Sequence, residues 1–351
     1  MGNVRRFSAI NTKLRVMRSR FLKDSDYITL MEKDQVSDQI QYLKDHTVYG
    51  QVLQELHDLE DIQQVQIQLD RFLITQFKKI LKYFTDNYEK FYKAYMFRFE
   101  TEDLKLYLRA LARGEDLSKY EKVSMIRDEY YSFSIEKLRT AKSLDDFIEK
   151  LEGTKFYDVL YPYRHEDYSK LLFYMEMNLD RLYFNSLFES TDLLGKTDKN
   201  IYTDFLSENI DLLNIEWIYR GIKFYNLLPE ELINYTLPNG KLFGYKELKE
   251  LCYGTVEDLK AKVSKTPYKE MVNEEKDIDL FMEIRLQRHL YNMFRNTFTK
   301  GKLDLSISNA YLHLLEFEIR DIISILEAKK YGLSYYEIKE YLVRTIKGSD
   351  E

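Results

Sequence analysis

Apolar residues recur three or four positions apart through most of the chain, the spacing of a helix face, and rarely alternate. Lys93–Tyr120 shows the pattern: Phe99, Leu104, Leu108 and Leu111 share one face. Gly114 follows the last of them, where a left-handed cap favours a residue without a Cβ. The spacing therefore predicts a helix ending at Gly114 and a restart at Ser118, with Glu121 at capping-box distance. Near the N-terminus, Val4, Phe7, Ile10, Leu14, Met17 and Phe21 form a narrow amphipathic stripe. It suits a bundle helix with a basic outer face better than a helix lying on a membrane. Short helices are expected at 25–32 and 36–45. The aromatic stripe Phe84, Tyr88, Phe91, Tyr92 and Tyr95 reads as core. No alternating run bounded by a tight-turn dipeptide is present, and β-branched residues are scattered singly. The predicted class is all-α.

The pattern repeats. Phe317–Gly332 aligns with Phe99–Gly114 without a gap, 218 positions later: Glu100 falls on Glu318, Asp103 on Asp321, Leu108 on Leu326 and Gly114 on Gly332. Upstream, a T-x-aromatic element occurs at Thr47–Tyr49, Thr154–Phe156 and Thr266–Tyr268. Helices leading into the last two have N-cap spacing at Ser143/Asp146 and Thr255/Asp258. Between these elements lies an L-x-R helix whose arginines, Arg71, Arg181 and Arg288, are 110 and 107 positions apart. A shared structural role for them, pairing an acid or covering apolar surface, is favoured over a shared active site. The middle copy of the third element, Leu213–Pro229, is the loosest. It has bulky Trp217 and Tyr219 and no capping Gly, so Asn226 is expected to take the left-handed position and Pro229 to open the next helix. Three copies imply three helical lobes, 1–122, 123–245 and 246–351, packed about a pseudo-three-fold axis. A linear solenoid is the alternative, although its repeats are usually shorter, ~20–50 residues.

Composition narrows the chemistry. With 351 residues but only 12 Gly and 4 Pro, the chain favours long helices with short joints. Net charge is −6, which argues against a general nucleic-acid binder. Met1–Lys23 is the local exception, with seven basic residues and no acid. One cysteine, Cys252, excludes an intrachain disulfide framework. The longest uncharged run, Leu305–Leu315, is too short to span a bilayer, and the N-terminus lacks signal-peptide features. A soluble, cytoplasmic chain is expected. Phosphate-loop, dinucleotide-fold, HExxH and GxSxG signatures are absent. Asp145, Asp146 and Glu149 have the spacing of an Mg²⁺–diphosphate site, but the third copy has Ala261 at the last acid, and acids favour a helix's first turn for dipole reasons alone. No catalytic, cofactor or metal residue is assigned.

Lys13–Phe21, Leu43–Gly50, Tyr92–Leu111 with its Arg98–Lys105 segment, Asp211–Ile215 with Arg220, and Glu316–Gly332 follow one another in an order and spacing spread over nearly the whole length. In these the chain resembles the C subunit of archaeal and bacterial V/A-type rotary ATPases, the counterpart of the eukaryotic d subunit. The resemblance implies three pseudo-symmetric helical lobes forming a funnel with a central cavity. It also implies a cytoplasmic place on the membrane rotor ring of proteolipid subunits, with the central axle seated in the cavity, and no chemistry, cofactor, small-molecule substrate or nucleic acid of its own. Glu100, Asp103, Lys105, Glu216, Arg220, Glu318 and Arg320 are then the candidate polar surfaces toward ring or axle. A free-standing helical scaffold and a Mg²⁺-dependent all-α enzyme are the alternatives.

Overall fold

The computed structural model describes residues 2–120, 131–165 and 168–347, and no strand occurs among them. The chain opens with α1 (Asn3–Arg18), α2 (Asp24–Glu32), α3 (Val36–His46), α4 (Gly50–Leu53) and α5 (Ile62–Leu81). It continues through α6 (Asp86–Ala112), α7 (Ile135–Arg139), α8 (Leu144–Glu149), α9 (Lys155–Leu160) and α10 (Tyr168–Ser190). Then follow α11 (Lys196–Lys223), α12 (Pro229–Tyr235), α13 (Tyr245–Cys252), α14 (Val256–Val263), α15 (Ile278–Lys300), α16 (Ser306–Lys330) and α17 (Tyr335–Glu340). The chain divides into two compact units, 1–84 with 200–233 and 238–351, and 85–199 with 234–237.

The larger unit is built on α16, which is buried almost all round from Ser306 to Ala328, as expected of a helix covered by several others. It packs against α1, α5 and α15. Phe7, Ile10 and Leu14 of α1 are fully buried. Asn11 Nδ2 donates to the carbonyls of Lys302 and Asp304 at 3.1 and 3.2 Å, tying α1 to the turn before α16. The centre of the α1 stripe is thus spent in the core, while Val4 and Val16 are exposed among its basic residues, which leaves too little apolar face for a helix lying on a membrane.

In the smaller unit α6 lies along α10, with α9 beside it. Leu104, Tyr107 and Leu108 enclose Phe147, Phe156, Leu160, Met175 and Leu179, and Phe97 stacks on Phe156 with centroids 4.7 Å apart. The stripe Tyr88, Phe91, Tyr92 and Tyr95 is buried as its spacing required.

The caps follow local chemistry. Gly114 has φ +70° and Gly332 φ +76°, and in each the next amide bonds back across the cap, Glu115 to Ala110 O at 3.0 Å and Leu333 to Ala328 O at 3.0 Å. In the middle copy Asn226 takes φ 47° and the Leu227 amide closes on Gly221 O at 3.1 Å. Pro229 is the first residue of α12. Ser143 and Thr255 accept the amides of Asp146 and Asp258 as N-caps, and Ser334 and Glu337 form a reciprocal box. After Gly114 the chain restarts as a 3₁₀ turn, Leu117–Tyr120, and Glu121 lies outside the described residues.

Candidate functional site

Each long acid-bearing helix carries a Glu-x-x-Asp pair: Glu100/Asp103 on α6, Glu208/Asp211 on α11 and Glu318/Asp321 on α16. Three-residue spacing places both carboxylates on one helix face. The middle pair is not among the candidates read from the sequence, where Glu216, eight residues on, stood for this copy. A signal for it exists, since Glu208 sits 108 positions after Glu100 and 110 before Glu318, intervals close to those of the L-x-R arginines. From acid to cap the middle copy is four residues longer, 226 minus 211 against 114 minus 103, about one extra helical turn.

These carboxylates face inward and take hydrogen bonds from returning chain segments. Glu318 accepts the Leu22 amide at 3.0 Å and the Tyr49 hydroxyl at 2.7 Å. Asp321 accepts the amides of Val343 and Arg344 at 2.6 and 3.0 Å. Asp211 accepts the amides of Leu242 and Phe243 at 2.6 and 3.2 Å and the Tyr268 hydroxyl at 2.9 Å. Its neighbour Glu208 accepts Lys241 Nζ at 2.9 Å and meets His289 Nε2 at 2.7 Å. Glu100 accepts both the amide and the hydroxyl of Ser132, at 2.9 and 2.7 Å, and Asp103 accepts the Tyr131 hydroxyl.

The donors reveal the phase of the repeat. Tyr49 and Tyr268 are the aromatics of the first and third T-x-aromatic elements, and they serve acids of the third and second copies. Phe156, the aromatic of the second element, has no hydroxyl and stacks on α6 of the first copy instead. Each acid helix is thus closed by the copy that follows it, and the last by the first. Tyr131–Ser132, Leu242–Phe243 and Val343–Arg344 are further donors, each lying beyond the cap of the helix it serves.

Burial sets the electrostatics. Desolvation pushes Glu318 and Asp321 up to about 7, against the downward pull of their hydrogen bonds and of arginines including Arg344. It also raises Asp211 and Glu100. Glu216 is driven to about 7 by burial and by Glu283, while Arg220 and Arg320 oppose the shift. Arg220 bonds Glu216 at 3.1 Å and Arg320 bonds Glu283 at 3.0 Å, so α11, α15 and α16 contribute to one cluster of two acids and two arginines. In the smaller unit Lys105 is buried between Asp180 at 2.8 Å and Glu102 at 2.9 Å.

Of the seven candidate residues, Glu100, Asp103, Lys105, Glu216 and Glu318 are buried with partners inside the chain. The side chains of Arg220 and Arg320 are 51% and 43% exposed, so these two remain open to another molecule. Two of the three L-x-R arginines, Arg181 and Arg288, grip backbone. Arg288 donates to the carbonyls of Leu342 and Glu340 at 2.9 and 2.7 Å, and Arg181 to that of Asn234. Both targets lie at or just after the short helix that follows an acid helix. Asp145 is held by the His165 amide at 2.8 Å, Asp146 by Lys150 and the Lys142 amide, and Glu149 lies 3.8 Å from Arg164. Among the described residues, no group of three or more His, Cys, Asp or Glu could hold a metal ion. No described helix is long and apolar enough to cross a membrane.

Known proteins are similar to this chain over nearly all of its length. The C subunit of the A-type ATP synthase of Thermococcus kodakarensis is 22% identical over 345 residues, 96% of this chain and 90% of the relative. That of Methanococcoides burtonii is 22% identical over 348 residues, 97% and 95% of the two chains. That of Archaeoglobus fulgidus is 22% identical over 365 residues, 97% of each. The ATP synthase (C/AC39) subunit family matches residues 10–341, within which all three acid helices and their donors up to Tyr268 fall, and the chain belongs to that family.

Proposed function

We propose that the chain is a non-catalytic central-rotor subunit of an A/V-type ATP synthase, a socket that joins the membrane rotor ring to the central axle. Torque passing through it links ATP hydrolysis or synthesis to ion movement. The three sequence copies, 1–122, 123–245 and 246–351, supply three lobes of a funnel whose cavity receives the axle, and the chain sits at the cytoplasmic face of the membrane through the ring. The observation that carries this reading is the near-full-length match to the C subunits of archaeal A-type ATP synthases.

The hydrogen bonding fits a mechanical part. A coupler must twist little under load, and buried carboxylates that bridge sequence-distant segments resist shear between helices better than apolar contact alone. Tyr49 and Glu318 are 269 positions apart. Stable attachment to ring or axle calls for roughly 1,200–2,000 Å² of buried surface, and the half-exposed Arg220 and Arg320 are the charges of this cluster offered to an acidic partner.

Reconstitution tests the reading. Purified ring and axle combined with this chain should form one species by size-exclusion chromatography, and once the catalytic head and stator are added ATP hydrolysis should depend on ion flow. Arg220→Glu with Arg320→Glu should weaken assembly. A fully coupled motor assembled without the chain would overturn the proposal.

A further inference from the structure

The basic N-terminus is not used by the coupling role. A cavity of about 370 Å³ opens where Lys13 and Arg20, in and just beyond α1, face Lys79 of α5. Phe72, Tyr311 and Leu315 form part of its wall, the amides of Gln51 and Gln76 also line it, and no acidic residue does. The cations are not neutralised from within the cavity. Lys13 lies over the ring of Tyr83 at 5.0 Å, and Lys79 donates to Gln76 Oε1 at 3.4 Å. Gln76 itself is 4% exposed, so a buried amide stands beside the cations. Glu318, whose charge acts on Tyr311, is already held by Leu22 and Tyr49. Burial, with Lys13 and Arg20 adding to it, pushes the Lys79 ammonium below its usual range.

We propose that this cavity binds a phosphoryl group, carried on an anionic lipid headgroup or on a free phosphate compound. Three like charges converging on a concave site repel one another in a chain of net charge −6, and a compact dianion relieves that repulsion. A phosphoryl group offers three strong acceptor oxygens, which suits two ammonium groups and a guanidinium. The cavity admits a headgroup or a small phosphate ester rather than a helix or strand of another protein. The membrane would be met by this pocket, not by an inserted helix, because the centre of the apolar face of α1 is buried.

The test uses the full chain at low salt. Inorganic phosphate and pyrophosphate are titrated calorimetrically, and vesicles containing phosphatidic acid, or phosphatidylcholine alone, are co-sedimented with the protein. One saturable site is expected for at least one phosphoryl probe, with no binding to phosphatidylcholine. Binding to phosphatidic acid alone identifies a headgroup site, and binding to the inorganic anions alone identifies a free phosphate site. Lys79→Gln and Arg20→Gln should each weaken binding about tenfold or more, as loss of a charge-assisted bond requires. Arg20 is exposed, so its variant keeps the fold whatever happens at Lys79. Arg5→Gln and Lys23→Gln, basic residues that do not line the cavity, should change affinity less than about twofold. Absence of binding to every phosphoryl probe overturns the proposal. So does an equal loss in the Arg5 and Lys23 variants, which marks diffuse attraction, or binding of a polyglutamate peptide in place of the phosphoryl probes.

Discussion

Removing the Tyr49 hydroxyl tests the closure of the last copy by the first. Tyr49 is fully buried and donates to Glu318 at 2.7 Å, and the Leu22 amide donates to the same carboxylate at 3.0 Å. Tyr49→Phe deletes one oxygen and leaves the ring against Phe72, 5.3 Å away, so no sizeable cavity forms. The loss is that of a hydrogen bond to a buried charged group, about 1.5–3 kcal/mol. Glu318→Gln should cost less, under about 1 kcal/mol, because its amide oxygen can accept from the Leu22 amide while its NH2 donates to the Tyr49 hydroxyl oxygen, and a disfavoured buried charge is removed. The cost of Tyr49→Phe should also depend on pH. The hydroxyl bond lowers the Glu318 pKa, which burial has raised to about 7, so it favours the ionised form. The penalty therefore grows above pH 7 and falls toward the value for a neutral bond, about 1 kcal/mol, near pH 5. Native-state hydrogen exchange read by mass spectrometry over 21–32, 43–53 and 315–326 localises the effect. A Tyr49→Phe change below about 0.5 kcal/mol at pH 8, or a Glu318→Gln cost equal to it, would refute the reasoning.

Three further outcomes are expected. Gly240→Ala should cost about 2–4 kcal/mol by urea denaturation, because a Cβ there would overlap Asp211 Oδ1 and drive the acid off its loop amides. Gly332→Ala, with nothing within 4 Å, should cost only the roughly 1–2 kcal/mol of a left-handed alanine, and equal losses in the two variants would argue against the Asp211 clamp. At the middle cap, where φ is 47°, Asn226→Gly should be neutral or mildly stabilising and Asn226→Ala destabilising by about 1 kcal/mol in thermal melts, an order that strain-free backbone would reverse. Stability should decline as pH rises from about 5.5 to 8. Glu216, Glu318 and Asp321 have folded-state pKa values of about 7, above those of free carboxylates, so the folded chain binds more protons and loses that contribution as pH rises through 7. Carboxylates held low, such as Glu208 and Asp279, act in the opposite sense only below about pH 4.5. A Tm that is flat or rising to pH 8, or unchanged in its pH dependence by Glu216→Gln, would contradict this.

Much was legible along the chain because helices are specified locally. Three-to-four spacing located α1, α6 and α16, and the cap chemistry of Gly114, Asn226, Pro229, Ser143 and Thr255 fixed where helices end and begin, since each cap is satisfied within about six residues. The repeat could likewise be read from intervals alone. What the chain order did not reveal was the partner of each buried acid. Glu100, Asp103, Glu216 and Glu318 have the sequence look of solvent-facing helix charges, and a carboxylate is written the same way whether it meets water or a backbone amide. Its environment is decided by which remote segment returns over it: Leu22 and Tyr49 over Glu318, Val343 over Asp321, Leu242 over Asp211. Sequence alone determined the all-helical class, the long helices and many of their caps. Tertiary structure decided that the acids of a helix are met both by the segment beyond that helix's own cap and by the next copy, because satisfying a desolvated charge is a long-range requirement that no local pattern encodes.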